Sequence, residues 1–332
     1  MASCLAPGVW EQVEAAVDRA LAAMAASQKA GGDLGEAHPA STAMAVMAFL
    51  SRGHVPGRGR YGDVLDKAVD SVLLAQDAEG VIGVRISNYI AYMHGMAGLM
   101  LGEVYGLTRG ARSAIIRDAI VKALAITRRA QSTPKPNPSH KGGVRYFENL
   151  ADADLSVTGW HFMFYRSAKN AEFDVPESWV AEMLQFVSAC KAQGVVQRQG
   201  PAPAQPGIGF AYQPGQSATF AMSAVGLLCM TMAGKNDHPL ALSTADMLLR
   251  YDPHGPERYR VYGLYYASLA MAQLGGEYWR KFYPRLVDAY LKDPLMPDGL
   301  WTNSDILGPV IGTAFRVLSL TPPCQLLPIF QR

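Results

Sequence analysis

The chain has 332 residues, 49% of them hydrophobic and only 17% charged, with a formal net charge of +2. So much apolar material calls for a large buried core under a thin charged shell. A net charge this close to zero lacks the basic footprint that binding to nucleic acid or to an anionic membrane surface requires.

From Met1 to Leu21 the residues Glu11, Glu14, Asp18 and Arg19 lie within a helical pattern. No basic n-region or apolar h-region is present, so no secretory signal is read there and the cytoplasm is the expected compartment. Further along, two kinds of helical segment alternate. The amphipathic kind covers Trp10–Ala26, Tyr61–Ala75, Arg112–Ala130, Glu177–Lys191, His238–Arg250 and Tyr278–Lys292. In the second of these, Val64, Leu65, Ala68, Val72 and Leu73 form a stripe at helical period, and Asp63, Asp66, Lys67 and Asp70 fill the other face. The other kind covers Ser41–Ser51, Asn88–Tyr105, Leu155–Ala168, Ser217–Ala233, Tyr262–Leu274 and Ile306–Leu318, and is apolar nearly all round. A helix apolar on every side is buried on every side.

The alternation repeats about every 50 residues, which predicts stacked helical hairpins, because one hairpin cannot bury its own apolar face. Six amphipathic outer helices around six apolar inner ones predict an all-α fold, an α/α toroid. It is read as one domain over 1–332 with an irregular tail at 321–332. The outer-to-inner turns resemble one another. Gln28 precedes Gly31-Gly32-Asp33-Leu34-Gly35, Gln76 precedes Glu79-Gly80-Val81-Ile82-Gly83, and Asp298-Gly299-Leu300-Trp301 closes the series. Glycine supplies a positive-φ helix stop, and the bulky residue after it plugs the gap between hairpins. The long Pro/Gly-rich stretches Gln131–Asn149 and Val195–Gln216 are read as irregular, a length that in compact folds marks functional or mobile loops. Thr219–Gly234 comes nearest to a membrane span but is too short and too polar, so a core helix is expected. Cys4, Cys190, Cys229 and Cys324 have no metal-ligand spacing and read as free thiols.

Repeats of the form Gln-x-x-x-Gly-x-aromatic before an apolar helix resemble the prenyltransferase and squalene-cyclase repeat. The resemblance runs from about Val13 to Leu318. It is carried by Ser156-Val157-Thr158-Gly159-Trp160, Ala224-Val225-Gly226-Leu227-Leu228-Cys229 and Gly275-Gly276-Glu277-Tyr278-Trp279. These phrases are most similar to those of stand-alone bacterial proteins with this repeat. The resemblance implies a terpenoid-cyclase-like toroid. Val144 and Phe210 depart from it by standing where the family usually has Trp. Class II terpene cyclases place Asp-x-Asp-Asp at the start of an inner helix, with the middle Asp as proton donor. Asp152-Ala153-Asp154-Leu155 matches the first two aspartates only. Those enzymes also hold the site between two such domains. The Asp, Cys, His zinc triad of the protein prenyltransferases has no counterpart here, so neither a metal nor another cofactor is expected.

Asp154 and Asp152 are the catalytic candidates. A carboxyl held at the ring mouth in apolar surroundings could be kept protonated and donate. The plainer reading is that Asp154 caps the helix beginning at Leu155. An ion pair to Arg145, nine residues upstream, would remove it from the donor role, since a nearby cation holds a carboxyl ionised. The candidate ligand-binding residues are Tyr89, Tyr92, His94, Trp160, His161, Tyr165, Phe220, Tyr262 and Tyr266 on the inner helices. They would line a central cavity for an isoprenoid or other lipophilic molecule. Core packing is the ordinary role of each taken singly, and a hydrogen-bonded core role that of the two histidines. His140 and His254 read as solvated. Gly207-Ile208-Gly209-Phe210 follows no expected strand and is not a nucleotide loop. The alternative to a ligand-binding toroid is a non-catalytic helical scaffold for a protein partner. No nucleic acid and no transmembrane segment are expected, and peripheral membrane contact stays open.

Overall fold

The computed structural model describes residues 2–36, 38–84, 89–146, 150–195, 206–257, 259–302 and 308–331. Twelve α-helices stand among them: α1 (Val9–Ala26), α2 (Pro39–Leu50), α3 (Gly62–Leu74), α4 (Ile90–Tyr105), α5 (Gly110–Ser132), α6 (Leu155–Asn170), α7 (Glu177–Ala189), α8 (Phe220–Met232), α9 (Pro239–Leu249), α10 (Arg260–Leu274), α11 (Gly276–Lys292) and α12 (Pro309–Leu320). Asn88 and Ile306, expected to open two inner helices, lie outside the described residues.

Even-numbered helices pack side by side in the order α2, α4, α6, α8, α10, α12, and α12 packs back on α2, so the inner layer is closed. Each odd-numbered helix lies behind the inner helix that follows it or precedes it. Burial follows composition. Every residue of α2 and of α8 is buried, whereas α3 buries only one face. This is an α/α toroid. Small residues set the layer spacing: a Cβ added to Gly98 of α4 would sit 2.7 Å from the Phe164 ring of α6.

The turns leading into inner helices share one device. The amide of the plugging residue donates to a side chain on the inner helix. Leu34 N–H bonds Thr42 Oγ1, Ile82 N–H bonds His94 Nδ1, and Val144 N–H bonds Thr158 Oγ1. Phe210 N–H bonds Ser223 Oγ, and Trp301 N–H bonds Thr313 Oγ1. The turn glutamines tie each unit to the next. Gln28 Nε2 donates to Gly32 O and to Val64 O of α3, and Gln76 Nε2 to Gly80 O and to Ala119 O of α5.

One expectation is corrected. The stretch Val195–Gln216 is not wholly irregular, because β1 (Lys191–Val195) and β2 (Pro206–Phe210) form an antiparallel pair. Lys191, expected in the outer helix, pairs with Phe210. The Gly207–Phe210 run is thus itself a strand. Its glycines let β2 lie on α8 and α9, where a Cβ on Gly209 would meet Ser223 Oγ at 2.3 Å.

At the C-terminal ends of the inner helices lies Glu103 of α4, 5% exposed. Its partners among the described residues are uncharged: Ser167 Oγ donates at 2.7 Å and Ile329 N–H at 3.3 Å. Burial pushes its carboxyl up from the ordinary 4.5 to about 6, against the pull of those two bonds. A raised carboxyl pKa means that the folded state holds the proton more tightly. The stability it contributes is therefore present at low pH and lost as pH rises through about 6.

Two outcomes are expected. Gly142 has φ +85° and a Cβ there would lie 2.1 Å from Glu182 O, whereas Gly59 has φ +68° and open space. Urea denaturation should show Gly142→Ala losing about 2–4 kcal/mol and Gly59→Ala about 1 kcal/mol. Equal losses would mean that close approach to α7 does not fix the turn. Glu103→Gln should stabilise the fold at pH 8 by up to about 2 kcal/mol relative to the native chain. That gain should vanish by about pH 4.5, the ordinary carboxyl value. A gain independent of pH would show that Glu103 does not titrate as stated.

Candidate functional site

The site is built where α6 begins. Asp154 has extended backbone (φ −135°, ψ 155°) and caps α6, its Oδ1 accepting the Val157 amide at 2.9 Å and the Ser156 hydroxyl at 2.6 Å. The approach is fixed from three sides: Asp154 N–H bonds Val144 O, Leu155 N–H bonds Tyr212 O, and Ala153 N–H donates to His140 Nδ1 at 3.0 Å. His140 is therefore buried, not solvated, because its ring pins this turn.

Arg145 organises the cluster. Its Nη1 lies 3.0 Å from Asp154 Oδ2 and its Nε 3.2 Å from Asp152 Oδ2. Nη1 also donates to Tyr212 OH at 2.6 Å. The guanidinium stands 4.2 Å from the ring centroid of Tyr146 and 5.4 Å from that of Tyr212. Those two phenols bond each other, and Tyr92 OH bonds Ser156 Oγ. Tyr262 OH, on α10, donates to Ser156 O at 3.4 Å. Gln213 Nε2 donates to Asp152 Oδ2 and to Ala153 O, both at 3.0 Å.

Asp154 is 0% exposed and Asp152 has 45% of its side chain exposed, so the two carboxylates differ in kind. Burial raises the Asp154 carboxyl above the ordinary aspartate value, outweighing Ser156, the Val157 amide and Arg145, which pull it down. For Arg145 the balance is reversed: burial alone would lower it, and Asp154 overcomes that and raises it. Both Asp154 oxygens already accept from donors. Asp154 thus caps α6 and forms the ion pair with Arg145 named above as opposing a donor role. Tyr92 is raised well above the ordinary phenol value by burial and by the Asp154 charge, so it stays a neutral donor. Lys135, lowered by burial against the charge of Asp152, donates to Leu150 O at 2.8 Å.

The other expected ligand residues divide. Tyr89, 52% exposed, precedes α4 at the same mouth, its ring 6.1 Å from Tyr92. Trp160 lies behind the cluster, its plane near parallel to those of Tyr265 at 5.7 Å and Phe315 at 6.0 Å, which stack on each other at 4.7 Å, with Tyr266 edge-on to Trp160 at 5.3 Å. These rings come from α6, α10 and α12, and α6 stands opposite α12 in the ring. Aromatic side chains therefore fill the middle of the inner layer where an open central cavity was expected. Phe220 is elsewhere, stacked on Tyr251 at 3.6 Å. Tyr165 faces outward, its OH on Gln131 Oε1 at 3.0 Å and its ring near Trp179.

The two histidines serve the framework. His94 Nδ1 takes the Ile82 amide, so Nε2 carries the proton bonded to Ala123 O. His161 Nδ1 pairs with Thr127 Oγ1 and its Nε2 with Ala91 O. Burial, with His94 stacked alongside, lowers His161 to about 3, so it is neutral at any physiological pH.

Tyr146, Tyr212, Gln213 and Ser156 were not singled out from the sequence. Their signal was position: Tyr146 follows Arg145 directly, and Tyr212 and Gln213 lie in the stretch left irregular after residue 195. Among the described residues no group of three or more His, Cys, Asp or Glu side chains could hold a metal ion. No described helix is long and apolar enough to cross a membrane.

The chain matches no family model and no curated protein. Solved structures do share its fold. An inactive double-aspartate variant of an alpha-1,6-mannanase of Salegentibacter sp. HEL1_6, in complex with alpha-1,6-mannotriose, has TM-score 0.64 at 9% identity, covering 96% of this chain and 99% of that one. The type II terpene cyclase MstE from Scytonema, in complex with geranylgeranyl dihydroxybenzoate, has TM-score 0.59 at 14% identity, covering 97% of this chain and 100% of that one. At such identities the likeness is one of fold alone, the α/α toroid.

Asp154→Asn keeps a good cap but loses the charge opposite Arg145. It should cost about 1–3 kcal/mol in urea denaturation, as for hydrogen bonds to charged groups. A neutral effect would mean that Asp152 alone suffices to hold Arg145.

Proposed function

We propose that the chain binds a neutral, hydroxyl-rich small molecule, of the chemistry of a short oligosaccharide, at the mouth around Arg145. The observation that carries this is the Arg145 cluster itself: Tyr92, Tyr146, Tyr212 and the Gln213 amide gathered around one guanidinium and the half-exposed Asp152. Phenols, amides and carboxylates give the mixed donors and acceptors that hydroxyls need, and the Tyr89 ring offers an apolar face. Asp152 and Asp154 are balanced by Arg145 and Lys135, so the mouth favours no strongly charged ligand. Asp154 positions Arg145 and carries no proton-transfer step. A toroid neighbour that holds mannotriose supports the reading only as precedent for the fold.

An isoprenoid-like ligand is the second reading. The aromatic column of Trp160, Tyr262, Tyr266 and Phe315 directly behind the cluster favours it. It requires the Trp160–Phe315 stack to part, and with it the packing across the ring.

Calorimetric titration separates the readings. Mannotriose, or another neutral oligosaccharide in a panel, should bind, and Tyr212→Phe and Asp152→Asn should each weaken binding about tenfold, the worth of one hydrogen bond to a charged group. Binding of geranylgeraniol with no saccharide response would establish the second reading. Failure of both classes would leave the ring as a scaffold for a protein partner.

A further inference from the structure

The opposite end of the ring carries a different chemistry. There the C-terminal ends of α10 and α12 and the segment after Leu320 enclose a cavity of about 320 Å³. Its floor is apolar, with Leu269 and Ala272 from α10 and Leu318 from α12. Its roof is Leu327 and Phe330, and Gln325 and Gln331 stand among its polar lining residues. Among the described residues no charged side chain lines it.

The roof is a built element. Ile329, 1% exposed, gives its amide to Glu103, and Gln273 Nε2 donates to Phe330 O at 2.6 Å. Asn170 Nδ2 reaches Pro328 O at 3.3 Å, and Thr321 Oγ1 reaches Ser51 Oγ at 2.9 Å. Four inner helices thus hold the segment over the end of the ring. A tail serving only to cover apolar helix ends would pack down without a void, since each forfeited contact costs dispersion energy. Here the roof stands off its floor. Gln325, in the cavity wall, also holds a left-handed backbone at φ +53°, a conformation that costs a non-glycine residue about 1 kcal/mol. Such strain persists where the surrounding structure imposes it and gathers at ligand clamps.

We propose that this cavity is a second small-molecule site, separate from the Arg145 mouth, and that it takes a neutral, mainly apolar ligand bearing one uncharged hydrogen-bonding group. Its volume falls at the lower end of the range for small-molecule sites, about 300–1,000 Å³. The described lining is uncharged and so disfavours an ionised ligand, which would lose its hydration without a counter-ion. The apolar floor supplies the affinity, and the glutamines and hydroxyls meet the single polar group.

The test uses N-phenyl-1-naphthylamine, a neutral aromatic amine whose fluorescence rises on leaving water. The full chain should give a saturable rise with one probe per chain. Ala272→Phe, which fills the cavity from its floor, should weaken binding at least tenfold with an unchanged far-UV spectrum. Should that variant fail to fold, Leu326→Trp makes the same test from a cavity-lining side chain that is 48% exposed and so tolerant of change. Excess mannotriose should leave the signal untouched, which keeps this result independent of the mouth. Absence of a saturable rise, native-like binding by the folded filled variant, or displacement by mannotriose would each overturn the proposal.

Discussion

The ring depends on a single recurrent hydrogen bond, from the amide of a turn residue to a short polar side chain one or more turns into the next inner helix. A hairpin of two helices leaves its connection with unpaired backbone groups, and in a buried connection these must find partners. Thr42, His94, Thr158, Ser223 and Thr313 supply those partners from otherwise apolar helices. Each bond draws a plugging residue, Leu34, Ile82, Val144, Phe210 or Trp301, into the seam between neighbouring hairpins, and all five are buried. The chemistry of the acceptor varies while the geometry does not. This explains how the His94 imidazole can serve the framework where other repeats carry a hydroxyl.

The same economy shapes the mouth. Thr158, which anchors the third turn, lies one helical turn beyond Asp154, and its hydroxyl also donates to Asp154 O at 2.7 Å. The framework bond and the cap therefore share a residue pair, and Arg145 is held on the resulting rigid corner. Its position follows from Val144, the plugging residue just before it. A guanidinium with two carboxylates and two tyrosine faces has little rotamer freedom left, so the cluster loses little further entropy when something docks against it.

Helix order and the inner-outer division were legible in the sequence because they rest on periodicity, which is local. The apolar circumference of Ser41–Ser51 and the one-sided stripe of Tyr61–Ala75 needed no knowledge of distant residues. Asp154 as cap was legible for the same reason. What was not legible depended on contacts between distant repeats. The strand pair Lys191–Val195 with Pro206–Phe210 brackets a Pro/Gly-rich stretch that breaks both periods. The Trp160–Phe315 stack joins residues on opposite sides of the ring, so a row of aromatics suited to lining a cavity could equally fill it. Tyr212 reaches Arg145 only because the hairpin returns the chain to the start of α6.

Closure of the inner layer has one more consequence. The amide of Val310, in the last hairpin, donates to Glu36 in the first at 3.1 Å, and α12 lies against α2. An open array of repeats has two end faces, frays from them, and can be shortened one unit at a time. A closed array has no end face, and removing any hairpin would uncover two apolar walls at once. The energetic unit is then the whole circle, so cooperativity here comes from topology and not from the strength of any one seam.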